Sequence, residues 1–128
     1  MKKSELGLRG ENLAAKYLAA SGYNVIERNW RAGHLETDII CEDDGHLIFV
    51  EVKTRTPASD RYGRPSASVD RRKAARLIAC AEAYIREKGL GDNSNKRVRL
   101  DVVEVYIDKG DVRINHIKNA IFKQEDTD

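Results

Sequence analysis

Two carboxylates and an amine stand at spacings that could bring them together around one hydrated cation. Asp38 lies in Leu35-Glu36-Thr37-Asp38-Ile39-Ile40, and a second apolar run, Leu47-Ile48-Phe49-Val50-Glu51-Val52-Lys53, ends on an acid and a base separated by one residue. Carboxylates hold hard, hydrated cations such as Mg2+. A lysine beside them can orient a water or stabilise charge building on a phosphate. Ionisable groups in an otherwise apolar strand are costly to bury unless paired or metal-bound, so their presence needs an explanation. A solvated ion pair between Glu51 and Lys53 is also compatible with this pattern, and these residues alone leave both readings open.

The three groups meet only if the two runs are adjacent strands. Between them sits Glu42-Asp43-Asp44-Gly45-His46, whose Asp-Gly step signals a tight hairpin. Alternate residues of a strand share a face. Leu47, Phe49, Glu51 and Lys53 therefore point one way, and Glu36, Asp38 and Ile40 line one face of the partner. Register then decides whether Asp38 comes near Glu51.

The rest of the chain reads as a scaffold for that hairpin. Residues 5–21 have helical spacing, with Leu13, Ala14, Tyr17 and Leu18 on one side and Gly22 as a stop. Tyr23 to Arg28 predicts a first strand. Thr54 to Ala67, with Pro57, Gly63 and Pro65, predicts a mobile loop directly after Lys53. Ser68 can cap a second helix with Asp70 in its first turn, and Ala74, Leu77, Ile78, Ala81 and Ile85 recur at the spacing that faces a sheet. Gly89-Leu90-Gly91-Asp92-Asn93 ends that helix; Arg97 to Ile107 and Val112 to Ile117 read as two more strands around an Asp108-Lys109-Gly110-Asp111 turn. The order α-β-β-β-α-β-β predicts an α/β fold, a mixed β-sheet flanked by helices. Its third and fourth strands should be parallel through a right-handed crossover.

A chain of 128 residues suits one domain, expected over residues 1–122 with a charged, fraying tail at 123–128. No apolar stretch is long enough to span a bilayer, and Met1-Lys2-Lys3-Ser4-Glu5 lacks the apolar segment of a signal peptide. No membrane association is expected, and the expected location is cytoplasmic. Cys41 and Cys80 fall in a predicted strand and a predicted helix, as small core residues in a reducing compartment rather than as a disulfide. His34, His46 and His116 show no ligand spacing, and no Cys/His pattern suggests zinc. Asp101, in Leu100-Asp101-Val102-Val103, is expected to pair with an arginine, and Trp30 to lid the core.

The net charge is only +2, yet Arg55, Arg61, Arg64, Arg71, Arg72, Lys73 and Arg76 crowd one stretch against Asp60 and Asp70. That excess could meet phosphates or form a solvated face. Arg31 and Arg55 could contact phosphates or pair with Glu36 or Glu51. Lys73 could reach a phosphate or lie along the edge of an apolar face. Arg31, Arg55, Arg72 and Lys73 are the candidate nucleic-acid contacts.

The element order and the Asp38…Glu51-Val52-Lys53 spacing resemble the PD-(D/E)xK, restriction-endonuclease-like nuclease superfamily. The whole chain resembles more closely the YraN family of small bacterial proteins. The matching segments are Gly10-Glu11, Gly22-Tyr23, Asn29-Trp30-Arg31, Glu36-Thr37-Asp38-Ile39-Ile40, Phe49 to Arg55, Tyr62-Gly63, Lys73, Arg99 to Val103 and Asn119 to Phe122. The family pattern around the aspartate reads Gly-Glu-Ile-Asp-Leu-Ile; here Leu35 replaces the glycine and Thr37 the isoleucine. The resemblance implies a restriction-endonuclease-like fold and a metal-dependent nuclease using Mg2+ or Mn2+. Asp38 and Glu51 would be metal ligands, Lys53 the catalytic lysine, and Glu11 a further metal-site acid as in the junction-resolvase branch. Glu36 is a second-tier candidate. The implied partner is nucleic acid, DNA ahead of RNA, with branched or flap structures as candidates. A homodimer is compatible with a fold whose members often cut two strands with two subunits. The alternatives are a nucleic-acid-binding module of the same fold with little or no turnover, and a protein-interaction module whose acidic pocket is structural. No helix-turn-helix is apparent, so site-specific restriction is not expected.

Overall fold

The computed structural model describes residues 3–60, 71–90 and 97–120. The Ser4 hydroxyl accepts from the Gly7 amide at 3.0 Å and so caps the first helix, α1 (Glu5–Ala20). Gly22, at φ 94°, ends it, with Gly22 N–H donating to Ala19 and Tyr23 N–H to Leu18. These are the paired reversal bonds of a left-handed helix cap. Tyr23 belongs to that cap, so the first strand, β1 (Asn24–Ala32), begins one residue later than the spacing predicts and runs on past Arg28.

Strands β2 (Leu35–Asp43) and β3 (His46–Arg55) form the expected hairpin. Asp44 and Gly45 turn it at φ 47° and 77°, the left-handed pair that a two-residue hairpin requires. The expected loop from Thr54 is corrected in part. Thr54 and Arg55 stay in β3, paired in parallel with Val105 and Tyr106, and Pro57–Asp60 form a single helical turn, α2. Proline fits there because the first turn of a helix leaves its N–H groups unpaired anyway. The remainder of that loop, with Ser68 and Asp70, lies outside the described residues. Helix α3 (Arg71–Glu87) ends in the same manner as α1, with Gly89 at φ 68° and bonds from Gly89 to Arg86 and from Leu90 to Ile85. Strands β4 (Arg97–Asp108) and β5 (Asp111–Ile117) follow it. The proposed tail falls outside the described residues.

The sheet runs β1-β2-β3-β4-β5, with β3 and β4 parallel and all other pairs antiparallel. This is the expected mixed sheet flanked by two helices. Its central strand is apolar on both faces, as a covered strand must be. Ile48 and Val50 pack with Ala14 and Leu18 of α1, while Leu47 and Phe49 pack with Ala74, Leu77 and Tyr84 of α3. Trp30 packs edge-on against Tyr84 at 5.1 Å, as a lid on the α3 side. Cys41 lies on the α1 side and Cys80 on α3; both are free and buried. Among the described residues no helix is long and apolar enough to cross a membrane.

Candidate active site

The apolar packing of β3 carries Glu51 and Lys53 to its C-terminal end on the row shared with Leu47 and Phe49. That row faces α3, and Lys73 in the first turn of α3 brings its ammonium to 2.6 Å from Glu51 Oε2. Strand β2 does not follow simple alternation. Ile40 packs towards α3 and Ile39 towards α1, yet the Thr37 hydroxyl reaches Cys80 Sγ of α3 at 3.1 Å. Thr37 and Ile39 thus lie on opposite faces, and the pleat breaks at Asp38. The neighbouring strand shows why. Arg28 pairs with Ile39 and Trp30 with Thr37, and the intervening Asn29 is left-handed at φ 54°. The expectation that Glu36, Asp38 and Ile40 share one face is therefore corrected. The break turns Asp38 into the place where β2 and β3 part, just past their last pair, Ile39 with Val50. There its Oδ2 accepts from the Val52 amide at 2.8 Å.

Glu11 arrives from α1 because Gly10 lets the helix touch β3. A Cβ at position 10 would lie 2.0 Å from the Thr54 hydroxyl oxygen. Glu11 is 1% exposed. Its Oε1 accepts from Arg28 at 3.0 Å and from Asn29 at 2.8 Å, so the residue that breaks the strand also holds the acid. The Lys3 ammonium sits 2.8 Å from Asp38 Oδ1, 3.1 Å from Glu11 Oε2 and 3.3 Å from Glu36 Oε1. A cavity of about 310 Å³ opens beside it, lined by Lys3, Glu11, Asp38, Val52 and Thr54 among others.

The electrostatics diverge within this small region. Burial first, and then the charge and hydrogen bond of the adjacent Asp38, push the Glu51 carboxyl up to about 7, against the pull of Lys73. Burial, then the charges of Arg55 and Lys73, lower the Lys53 ammonium, against the pull of Glu51 and Glu104. Burial opposes the charge on Lys3, but hydrogen bonds and charge from Asp38 and Glu11 outweigh it and raise its pKa.

Whether these residues suit a divalent cation can be judged from two oxygens. Glu11 Oε2 and Glu51 Oε2 are buried and make no hydrogen bond of proper geometry; their near neighbours are the ammonium groups of Lys3 and Lys73. Such oxygens suit a cation that accepts ligands from any direction. Among the described residues no group of three or more His, Cys, Asp or Glu is arranged to hold a metal ion. Mg2+ needs only one or two carboxylates beside its waters and substrate phosphates. Asp38 and Glu51 meet that lesser requirement, while Glu11 joins Asp38 through their shared lysine.

The expected phosphate contacts separate. Arg72 is exposed near the start of α3, with Arg71 and Arg76. Arg71, Arg72 and Lys73 are the first three described residues of α3. Arg31 pairs with Glu36 at 2.8 Å. Arg55 is only 18% exposed and faces Glu104 at 3.9 Å, an acid the sequence did not single out. Glu104 pairs with Lys53 in the β3–β4 register and accepts from Asn115 at 3.0 Å. Lys3 also went unnoticed, since nothing in a charged N-terminal segment marks it. Asn29 had a signal in its matching segment but no assigned role. Asp101 pairs with an arginine as expected: Arg99 grips both its oxygens at 2.9 and 3.0 Å, His116 Nε2 stands at 2.7 Å and the Asn119 amide at 3.0 Å.

Comparison with known proteins finds relatives that match over most of the chain. A protein of Syntrophomonas wolfei named UPF0102 protein is 41% identical over 116 residues, covering 91% of this chain and 96% of that one. Another of the same name from Bacteroides thetaiotaomicron is 39% identical over 119 residues, 93% of each chain. A third, from Rhodococcus jostii, is 39% identical over 116 residues, 90% of this chain and 94% of that one. The family described as Uncharacterised protein family UPF0102 matches residues 10–105, from the glycine that seats α1 to the end of the Glu104 region of β4. With that match and those relatives, the chain belongs to the UPF0102, or YraN, family of the restriction-endonuclease-like superfamily.

Proposed function

We propose that this protein is a metal-dependent nuclease that hydrolyses phosphodiester bonds in DNA, with branched and flap structures as the first substrates to test. The observation that carries the reading is the tuning of two neighbours. Glu51 is driven towards its neutral form beside Asp38, while Lys53, one strand position pair further on, is driven away from its charged form. Burial drives both towards their neutral forms, and strongly perturbed groups beside specific charge partners mark candidate functional sites. Asp38 and Glu51 would hold Mg2+ or Mn2+, which supplies Lewis acidity and a water of lowered pKa when bound. Lys53 orients that water and meets charge developing on the phosphate. Arg72 and Lys73 at the start of α3 steer the backbone in; Arg31 and Arg55, each already beside an acid, adjust the rim. Severing both strands of a duplex takes either two such centres in a homodimer or two successive nicks by one. Free buried thiols at Cys41 and Cys80 fit a cytoplasmic setting.

The second reading is a nucleic-acid-binding module of the same fold with little turnover. The ion pairs of Lys3 with Asp38 and of Lys73 with Glu51 favour it, because they already neutralise the acids. Labelled duplex, flap, junction and single-stranded DNA, incubated with Mg2+ or Mn2+, separates the two. Cleavage by the wild type that falls by roughly 10²–10³ in Lys53→Ala, with metal binding kept, supports the nuclease. Asp38→Ala should instead weaken Mn2+ binding itself. Salt-dependent DNA binding with no cleavage across the panel supports the module.

A further inference from the structure

We propose that Lys3 is a built-in counter-cation: its ammonium fills a cation position formed by Glu11, Glu36 and Asp38, and a divalent ion binds there by displacing it and releasing the N-terminal segment. Three acids from α1 and β2 converge on one nitrogen at 2.8, 3.1 and 3.3 Å. The lysine precedes the Ser4 cap and belongs to no helix or strand, so moving it disturbs neither α1 nor the sheet. By contrast, Glu11 is fixed on its other oxygen by Arg28 and Asn29, and Asp38 by the Val52 amide. The acids stay while the cation is exchangeable.

Two further observations point to a ligand other than lysine. Glu11 Oε2 is buried without a properly directed hydrogen bond, so the ammonium satisfies its charge but not its geometry. The cavity beside Lys3 gives a hydrated ion a route to the same oxygens. The distances also explain why no metal cluster is already assembled. Ammonium contacts near 3 Å hold oxygens further apart than the roughly 2.0–2.6 Å bonds of Mg2+ or Ca2+. Once Lys3 leaves, mutual repulsion must be relieved by a cation that draws Glu11, Glu36 and Asp38 inward. Lys3 therefore keeps three acids together in the metal-free protein and competes with the ion that uses them. Glu36, two residues before Asp38, enters the ion's surroundings through this exchange.

The inference rests on the nuclease reading only for the class of cation. Its binding test uses the full chain without nucleic acid, and cleavage by the same proteins is then assayed on the labelled DNA panel. Mn2+ is titrated by calorimetry into wild type, Lys3→Met and Lys3→Gln, and amide exchange at Lys3 and Ser4, ahead of α1, is followed with and without Mn2+. The expected result is at least a tenfold tighter Mn2+ affinity in both variants. In the wild type, saturating Mn2+ should accelerate exchange in that segment; in the variants, whose segment is already released, it should not. Glu36→Gln should weaken Mn2+ binding. Unchanged or weaker affinity in both lysine variants, an N-terminal segment that Mn2+ protects, or no Mn2+ binding by any of the proteins would overturn the proposal. A tighter-binding Lys3 variant that cleaves nothing overturns the nuclease instead. Cleavage with unaltered Mn2+ affinity in the variants overturns the displacement alone.

Discussion

Asp101 and Glu51 lie on neighbouring strands of one sheet, 2% and 8% exposed, yet their surroundings treat them in opposite ways. Asp101 accepts from Arg99 on both oxygens and from the Asn119 amide, with His116 against it. Burial alone would raise its pKa, but bonds from His116, Arg99 and Asn119 hold it below the usual carboxylate range. The Tyr17 hydroxyl meets the other nitrogen of His116 at 3.1 Å, and Tyr23 accepts from Arg99 at 2.8 Å, so the network closes on itself. Glu51 has a second acid for a neighbour and a half-exposed lysine for a counter-charge. Depth does not distinguish them; the supply of aimed donors does. An acid saturated with donors secures a fold. A buried acid short of donors costs stability and leaves capacity for a ligand.

The largest test of this contrast is Asp101→Ala. Leaving Arg99 and His116 without their acid should destabilise the protein by about 3–5 kcal/mol in urea unfolding. A near-neutral result accompanied by loss of cleavage would place Asp101 with the functional acids and break the comparison.

Glu51→Gln should do the reverse and stabilise the protein by about 1–3 kcal/mol at pH 8. A folded pKa raised to about 7 means that Glu51 contributes fully below its ordinary value near 4.5, where it is protonated folded or unfolded. That contribution is lost as pH rises through about 7, because the folded protein must then carry a buried charge. The advantage of Gln should therefore open between those values and vanish in acid. The lowered pKa of Asp101 acts in the other window: its contribution is present above the ordinary carboxylate range and lost as pH falls through the folded value. Unfolding of wild type and both variants between pH 3 and pH 8 checks the two signs together.

Gly10→Ala should cost about 1–3 kcal/mol by forcing α1 off Thr54. Because Glu11 follows directly, the same variant should also weaken Mn2+ binding, which separates it from Asp101→Ala. Thr54→Ala in the same chain should recover part of both losses; thermal unfolding and calorimetry of the single and double variants measure the coupling. The smallest effect is expected from Arg72→Ala. It should leave stability within about 0.5 kcal/mol and reduce the salt slope of DNA binding by about one. A slope that does not change removes Arg72 from the phosphate path.

Much of this scaffold was legible because local rules write it into the chain. Gly22 and Gly89 mark helix ends that need a left-handed residue, Asp44-Gly45 marks a two-residue hairpin, and alternation put Glu51 and Lys53 on one row of β3. Asp101 was readable as an arginine partner because a lone acid in an apolar strand must find one. The face of Asp38 was not readable, since it depends on a left-handed Asn29 on the opposite strand. Neither was the partner of Arg55, whose choice of Glu104 follows from parallel pairing across the α3 crossover.

The sequence by itself determined which elements form, their order, and which residue types reach the end of β3, because helical and strand periods and turn residues act over a few positions. Only the tertiary structure decided how those charges are shared. Glu11, Glu36 and Asp38 meet around Lys3, and Glu51 is held between Asp38 and Lys73. These contacts join residues from the N-terminal segment, α1, β2, β3 and α3, and their strength depends on burial and direction. Both quantities come into being only when the helices close over the sheet.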